Sequence, residues 1–234
     1  MNKKISVIIT LVLIILGIIV YVFWSKGWFN QESRKLLSTI KDQPAMVELY
    51  NKAMINEKKN LEDPENQAIY FELGLEWKSV AEQMEGSEED RKVFFQKSLD
   101  VYERGIVKFG DNNILFDMNG GNLAQRLGDF EKAERYYKKA IEVASGTEDG
   151  YIALTDLYYY KMKKEKEDIL AVLNQGINKM IQPLPLISAR ATYLRRIGDN
   201  KAALEDYKVL SQNYPDHTGY KQIIAELEAK VSAN

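Results

Sequence analysis

The run Leu127-Gly128-Asp129-Phe130-Glu131-Lys132-Ala133, continuing to Tyr136, Tyr137 and Ala140, constrains this chain more than any other feature. About 70 residues later it recurs in altered form as Ile197-Gly198-Asp199-Asn200-Lys201-Ala202-Ala203, continuing to Tyr207 and Pro215. That separation is twice a period of about 34 residues, so a third, degenerate unit is expected between the copies. Self-similarity at this period marks a stacked helical array, whose units bury their apolar faces only against one another. Such arrays offer surfaces, which points to a scaffold and away from a catalyst.

The punctuation agrees with short helices. Pro44 after Asp42 and Pro64 after Asp63 read as first helical turns with an aspartate cap nearby. Ser87 before Glu88, Glu89 and Asp90, and Thr147 before Glu148 and Asp149, are further starts, because a side-chain oxygen and acidic residues both satisfy a helix N-terminus. Gly110-Asp111-Asn112-Asn113 and Asn213-Tyr214-Pro215-Asp216 are stop-and-turn segments. Strand-like alternation is almost absent from residue 31 onward, and the fold class expected is all-α.

Residues 114–147 resemble a tetratricopeptide repeat, a helix-turn-helix unit of about 34 residues. Gly121 and Ala124 fall at the small positions of its first helix, Leu127 to Phe130 at its turn, and Ala133, Tyr137 and Ala140 on its second helix. Residues 184–217 fit the same register through Ala191, Gly198, Ala203, Tyr207 and Pro215, with Leu210 in place of the second-helix alanine. Residues 148–183 are degenerate: Tyr151, Leu154, Leu157 and Tyr158 suit a first helix, but Lys161 to Lys166 replace the Gly-Asp turn. Residues 67–112, with Tyr70, Leu73, Gly74 and Trp77, match with an insertion around Glu85-Gly86-Ser87, and residues 31–63 match loosely. Residues 218–231, with Ile223, Ile224, Leu227 and Val231 on one face, read as a capping helix. The resemblance implies a helical-hairpin solenoid, a right-handed superhelix, over residues 31–234.

Residues 5–24 are apolar except for Ser6 and Thr10. About 20 such residues suffice to cross a bilayer as a helix. Tyr21, Trp24, Trp28 and Phe29 suit an interfacial belt. A cleaved signal peptide is the alternative, but bulky residues stand where small ones precede a cleavage site. Residues 1–30 are therefore expected to form an uncleaved transmembrane signal-anchor and its flank. Lys3 and Lys4 before the span favour a cytoplasmic N-terminus and an extracytoplasmic repeat domain; Lys26, Arg34 and Lys35 after it keep the reverse orientation open.

Chemistry has little to work with. The chain has no cysteine and one histidine, His217, which excludes disulfides and thiolate sites. Carboxylate groups such as Glu88-Glu89-Asp90 and Glu165, Glu167 and Asp168 read as caps and solvated faces. Asn119-Gly120-Gly121-Asn122 lacks the preceding strand and the Lys-Ser pair of a phosphate loop. With a net charge of −2, the chain offers no broad phosphate-binding face. No cofactor, metal, nucleic acid or small-molecule substrate is expected, and an enzyme is only a remote alternative.

The resemblance further implies a concave groove lined by first helices. Transferred residue by residue, it comprises Phe71, Leu75 and Lys78; Met118, Asn122, Gln125 and Arg126; Ile152, Asp156 and Tyr159; and Ser188, Thr192 and Arg195. The tyrosine run Tyr158-Tyr159-Tyr160 is expected to give one buried, one groove-facing and one outer ring. The family's clamp for a terminal carboxylate is not matched: Asn122 fits, but Met118 and Ala153 replace its lysine and second asparagine. The partners expected are a protein or peptide in the groove and the membrane through the first helix. The layout is similar to bacterial single-pass membrane-anchored repeat proteins, implying a scaffold in envelope protein export, assembly or quality control. A cytoplasm-facing adaptor recruiting a soluble partner to the membrane is the alternative.

Overall fold

The computed structural model describes residues 28–110 and 113–233, which form helices joined by short turns, with no strand among them. In order they are α1 (Trp28–Ile40), α2 (Pro44–Glu62), α3 (Gln67–Gln83), α4 (Glu88–Phe109), α5 (Ile114–Leu127) and α6 (Phe130–Val143). Next comes α7 (Asp149–Asp156), which runs on as a π-helical turn, Leu157–Met162. The last four are α8 (Lys166–Lys179), α9 (Leu184–Arg196), α10 (Asn200–Asn213) and α11 (Thr218–Ser232). The chain divides into two compact units, Met1–Lys97 and Ser98–Asn234.

The recurring Gly-Asp pairs have a local cause. Gly128 and Gly198 take left-handed conformations, with φ of 89° and 83°, just past α5 and α9. There the amide of Asp129 donates to the Ala124 carbonyl at 2.9 Å and that of Gly128 to the Gln125 carbonyl at 3.2 Å, closing off the last turn of α5. Asp199 and Gly198 repeat both bonds with Leu194 and Arg195. Each aspartate then caps the next helix: Asp129 accepts from the Lys132 amide at 3.0 Å and Asp199 from the Ala202 amide at 3.2 Å. One dipeptide thus ends one helix and starts another.

Other starts use different devices. Pro44 occupies the first turn of α2, and the Gln43 side chain bridges to both backbone groups of Glu85, at 2.6 and 2.7 Å. Ser87 and Asp90 cap α4 reciprocally. Pro64 does not open a helix: Asn66 caps α3 by accepting from the Ala68 amide, which leaves Pro64 in the turn.

In the first unit, Trp77 is buried against the edge of Tyr50 at 5.5 Å and the face of Phe94 at 6.2 Å. Beside this core the buried Glu76 carboxylate accepts from the Asn56 amide group at 2.9 and 3.0 Å and pairs with Lys52 at 3.2 Å, so its charge is compensated. In the second unit one apolar cluster joins Ala124, Ala133, Tyr137, Tyr151, Leu157, Ile169 and Leu186. Another joins Ala191, Ala203, Leu204, Tyr207, Leu210 and Leu227. Small residues admit large ones: a Cβ on Gly121 would lie 2.5 Å from a ring carbon of Tyr137, and one on Gly105 or Gly176 would collide with Phe116 or Leu186.

The membrane reading is corrected. Among the described residues no helix is long and apolar enough to cross a membrane. The helices of that length, α2 and α4, carry lysines and glutamates along their course. Residues 5–24, on which the transmembrane helix was read, lie outside the described residues. The structure supports an all-α helical-repeat domain. Single-pass anchoring, a membrane partner, an extracytoplasmic or membrane-recruiting role and the likeness to membrane-anchored repeat proteins are not part of what it supports.

Candidate functional site

A cleft of about 310 Å³ in the second unit opens between α9 and the face of α7 with its π turn. Ile152, Asp156 and Tyr159 from one side and Ser188 and Thr192 from the other line it, all at positions transferred from the repeat register. Thr155, Tyr160, Pro185, Ala189, Tyr193 and Arg196 complete the lining. A second depression shares Tyr159, Tyr160, Tyr193 and Arg196 with it and adds Lys163, Lys164 and Ile197.

The remaining register positions lie elsewhere. Phe71, Leu75 and Lys78 share one face of α3 in the first unit, where Lys78 pairs with Glu82 at 3.6 Å. Met118, Asn122, Gln125 and Arg126 lie on α5. Asn122 accepts a hydrogen bond from the Tyr137 hydroxyl at 2.8 Å, and Met118 packs on the core. Arg195 turns away to pair with Glu226 of α11 at 2.8 Å, and it is Arg196 that lines the cleft.

The π turn carries the aromatic wall. In a regular α-helix successive side chains are about 100° apart, which sends Tyr158 and Tyr160 to opposite faces. That arrangement holds here: Tyr158 is buried, while Tyr160 joins Tyr159 at the opening. Their rings meet edge to face at 4.8 Å, and Tyr159 meets Tyr193 likewise at 5.4 Å. The turn ends at Lys163, the only non-glycine residue with positive φ (53°) among those described. Lys163 does here what Gly128 and Gly198 do in the flanking units.

Charge is arranged around these rings. The Arg196 guanidinium lies 5.5 Å from the centre of Tyr159 and 5.2 Å from that of Tyr160, and the Lys163 ammonium lies 5.9 Å from Tyr159. The Asp156 side chain reaches solvent, yet burial of its carboxyl raises its pKa above the usual aspartate value, and the Arg196 charge opposes the shift. Burial, with the Asp156 charge added, pushes the Tyr137 phenol up to about 12. Beneath the cleft the Thr155 hydroxyl is fully buried with no hydrogen-bond partner.

Neither catalysis nor metal binding finds support in this arrangement. The chain has no cysteine, its one histidine stacks on Tyr220 at 4.0 Å, and no cluster among the described residues could hold a metal ion. The described residues form an all-α helical repeat.

No curated protein matches the sequence. Among solved structures the chain is similar to the crystal structure of yeast Tom70, at 15% identity and a TM-score of 0.39 over 80% of this chain and 40% of that one. The chain therefore spans less than half the length of that relative. Residues 119–147, which carry Gly121, the Gly128-Asp129 turn and the small face of α6, match the tetratricopeptide repeat family.

Proposed function

We propose that this chain is a scaffold that binds a peptide or protein segment in the cleft between α7 and α9. One observation carries the reading: the cleft combines tyrosine faces with an exposed arginine. Aromatic rings and arginine supply much of the affinity at protein interfaces, because they bury large areas while keeping a polar edge.

The test is selection of a fully random displayed peptide library on the whole protein. The wild type is expected to enrich peptides, Tyr159→Ala to lose them, and the exposed-site control Lys221→Glu to keep them. Failure of the wild type to enrich any peptide, or equal retention by Tyr159→Ala, overturns the proposal.

A further inference from the structure

The geometry points to an acidic peptide as the occupant: an extended segment whose aspartate or glutamate side chain sits on Arg196 while its neighbours lie on Tyr159. This inference rests on the reading of the cleft as a peptide site, and goes beyond it by fixing the ligand's charge.

Three observations carry it. The first is where the chain leaves cations unpaired. Three other cations of this unit pair with carboxylates: Lys166 with Asp199 at 2.6 Å, Arg190 with Asp206 at 2.7 Å and Arg195 with Glu226 at 2.8 Å. Among the described residues no carboxylate forms an ion pair with Arg196, Lys163 or Lys164, and these three border one opening in a chain whose net charge is −2. Asp156 lies within the field of Arg196, and Glu134, which accepts from Lys138, within that of Lys164, but neither closes an ion pair with the three cations.

The second is the pose of Arg196. Two tyrosine rings flank its guanidinium, which supports the group without consuming its N–H bonds. A guanidinium held this way presents a fork of donors that fits the two oxygens of a carboxylate, and such charge-assisted pairs are about twice as strong as neutral hydrogen bonds.

The third is the cleft floor. Ser188 and Thr192 line it with hydroxyls from α9, so an extended backbone finds both donors and acceptors there. At about 310 Å³ the cleft has room for one or two side chains, not a folded surface. A nucleic acid strand is less suited, because its phosphates need a basic track longer than one opening.

The experiment uses the full chain and two synthetic libraries of decapeptides, acetylated and amidated at their ends. One omits aspartate and glutamate; the other omits lysine and arginine. Binders are expected only from the library that retains acids, with capture falling at least about tenfold in Arg196→Gln, the loss of one charge-assisted pair. Lys163→Ser is expected to lower capture too, while Arg195→Gln leaves it unchanged. Circular dichroism of each variant confirms that it remains folded. Binders from the acid-free library overturn this inference but leave the peptide site standing; binders from neither overturn both. Binding that appears only when the peptides carry a free terminal carboxylate overturns the assignment to a side chain. Capture of fluorescein-labelled oligothymidylate, lost in Arg196→Gln while neither library binds, hands the cleft to nucleic acid.

Discussion

Gly121 lies in the interior of α5 with its Cα facing Tyr137, and the space for a methyl group is already taken by that ring. Alanine there gains about 1 kcal/mol in helix propensity. It also drives a buried, hydrogen-bonded tyrosine off its position, which costs typically about 1–3 kcal/mol. Gly121→Ala is therefore expected to lower the urea midpoint, whereas Gly146→Ala, with nothing within 4 Å, should leave it unchanged or slightly raised. A higher midpoint for Gly121→Ala would mean that α5 and α6 do not pack this way. Asp199 allows a test against pH. The hydrogen bond from Lys166 holds its carboxyl below the usual aspartate value, against the opposing effect of burial. A folded pKa below the unfolded one gives stability that is complete above the unfolded value, about 3.9, and lost as pH falls through the folded value. Asp199→Ala should cost about 1 kcal/mol near neutrality through its lost cap. The gap between variant and wild-type melting temperatures should close below about pH 4. A gap that persists in acid would show that the carboxylate charge is irrelevant.

At the scale of the element, the parts legible in the sequence were those with local chemistry. Gly128-Asp129 and Gly198-Asp199 announce a left-handed residue and a side-chain cap by residue type, so both turns could be read without neighbours. The π turn in α7 has no such marker. Lys163 takes up the left-handed position that glycine fills in the flanking units, and nothing in Lys161 to Lys166 names it. Tyr160 beside that turn, and Tyr193 and Arg196 on α9, escaped the transferred register, although the tyrosine run and Arg195-Arg196 are visible as residues. Pro64 misled because Asn66, two residues on, is the better cap for α3. The strain at Lys163 makes a prediction: Lys163→Gly should raise the melting temperature, since a left-handed non-glycine residue costs about 1–2 kcal/mol. If binding depends on its charge, the same variant should take up acidic peptides less well. A lowered melting temperature would show that the lysine side chain contributes more than its backbone costs.

For the whole molecule, stability in a repeat array is the sum of what each unit lends its neighbour. Leu204, Tyr207 and Leu210 of α10 are buried under α11, with Leu227, Ile223 and Ile224 as the cover. Removing residues 214–234 should lower the melting temperature and cause self-association in sedimentation experiments, because an apolar face is left open. An unchanged, monomeric truncation would mean that α11 is dispensable. The burial of Trp77 in the first unit has an optical counterpart: Trp24, Trp28 and Trp77 all precede Ser98, and the second unit contains no indole, although it holds most of the 14 tyrosines. Tryptophan emission therefore reports on the first unit and tyrosine absorption largely on the second, so one titration followed at two wavelengths resolves their transitions without any label.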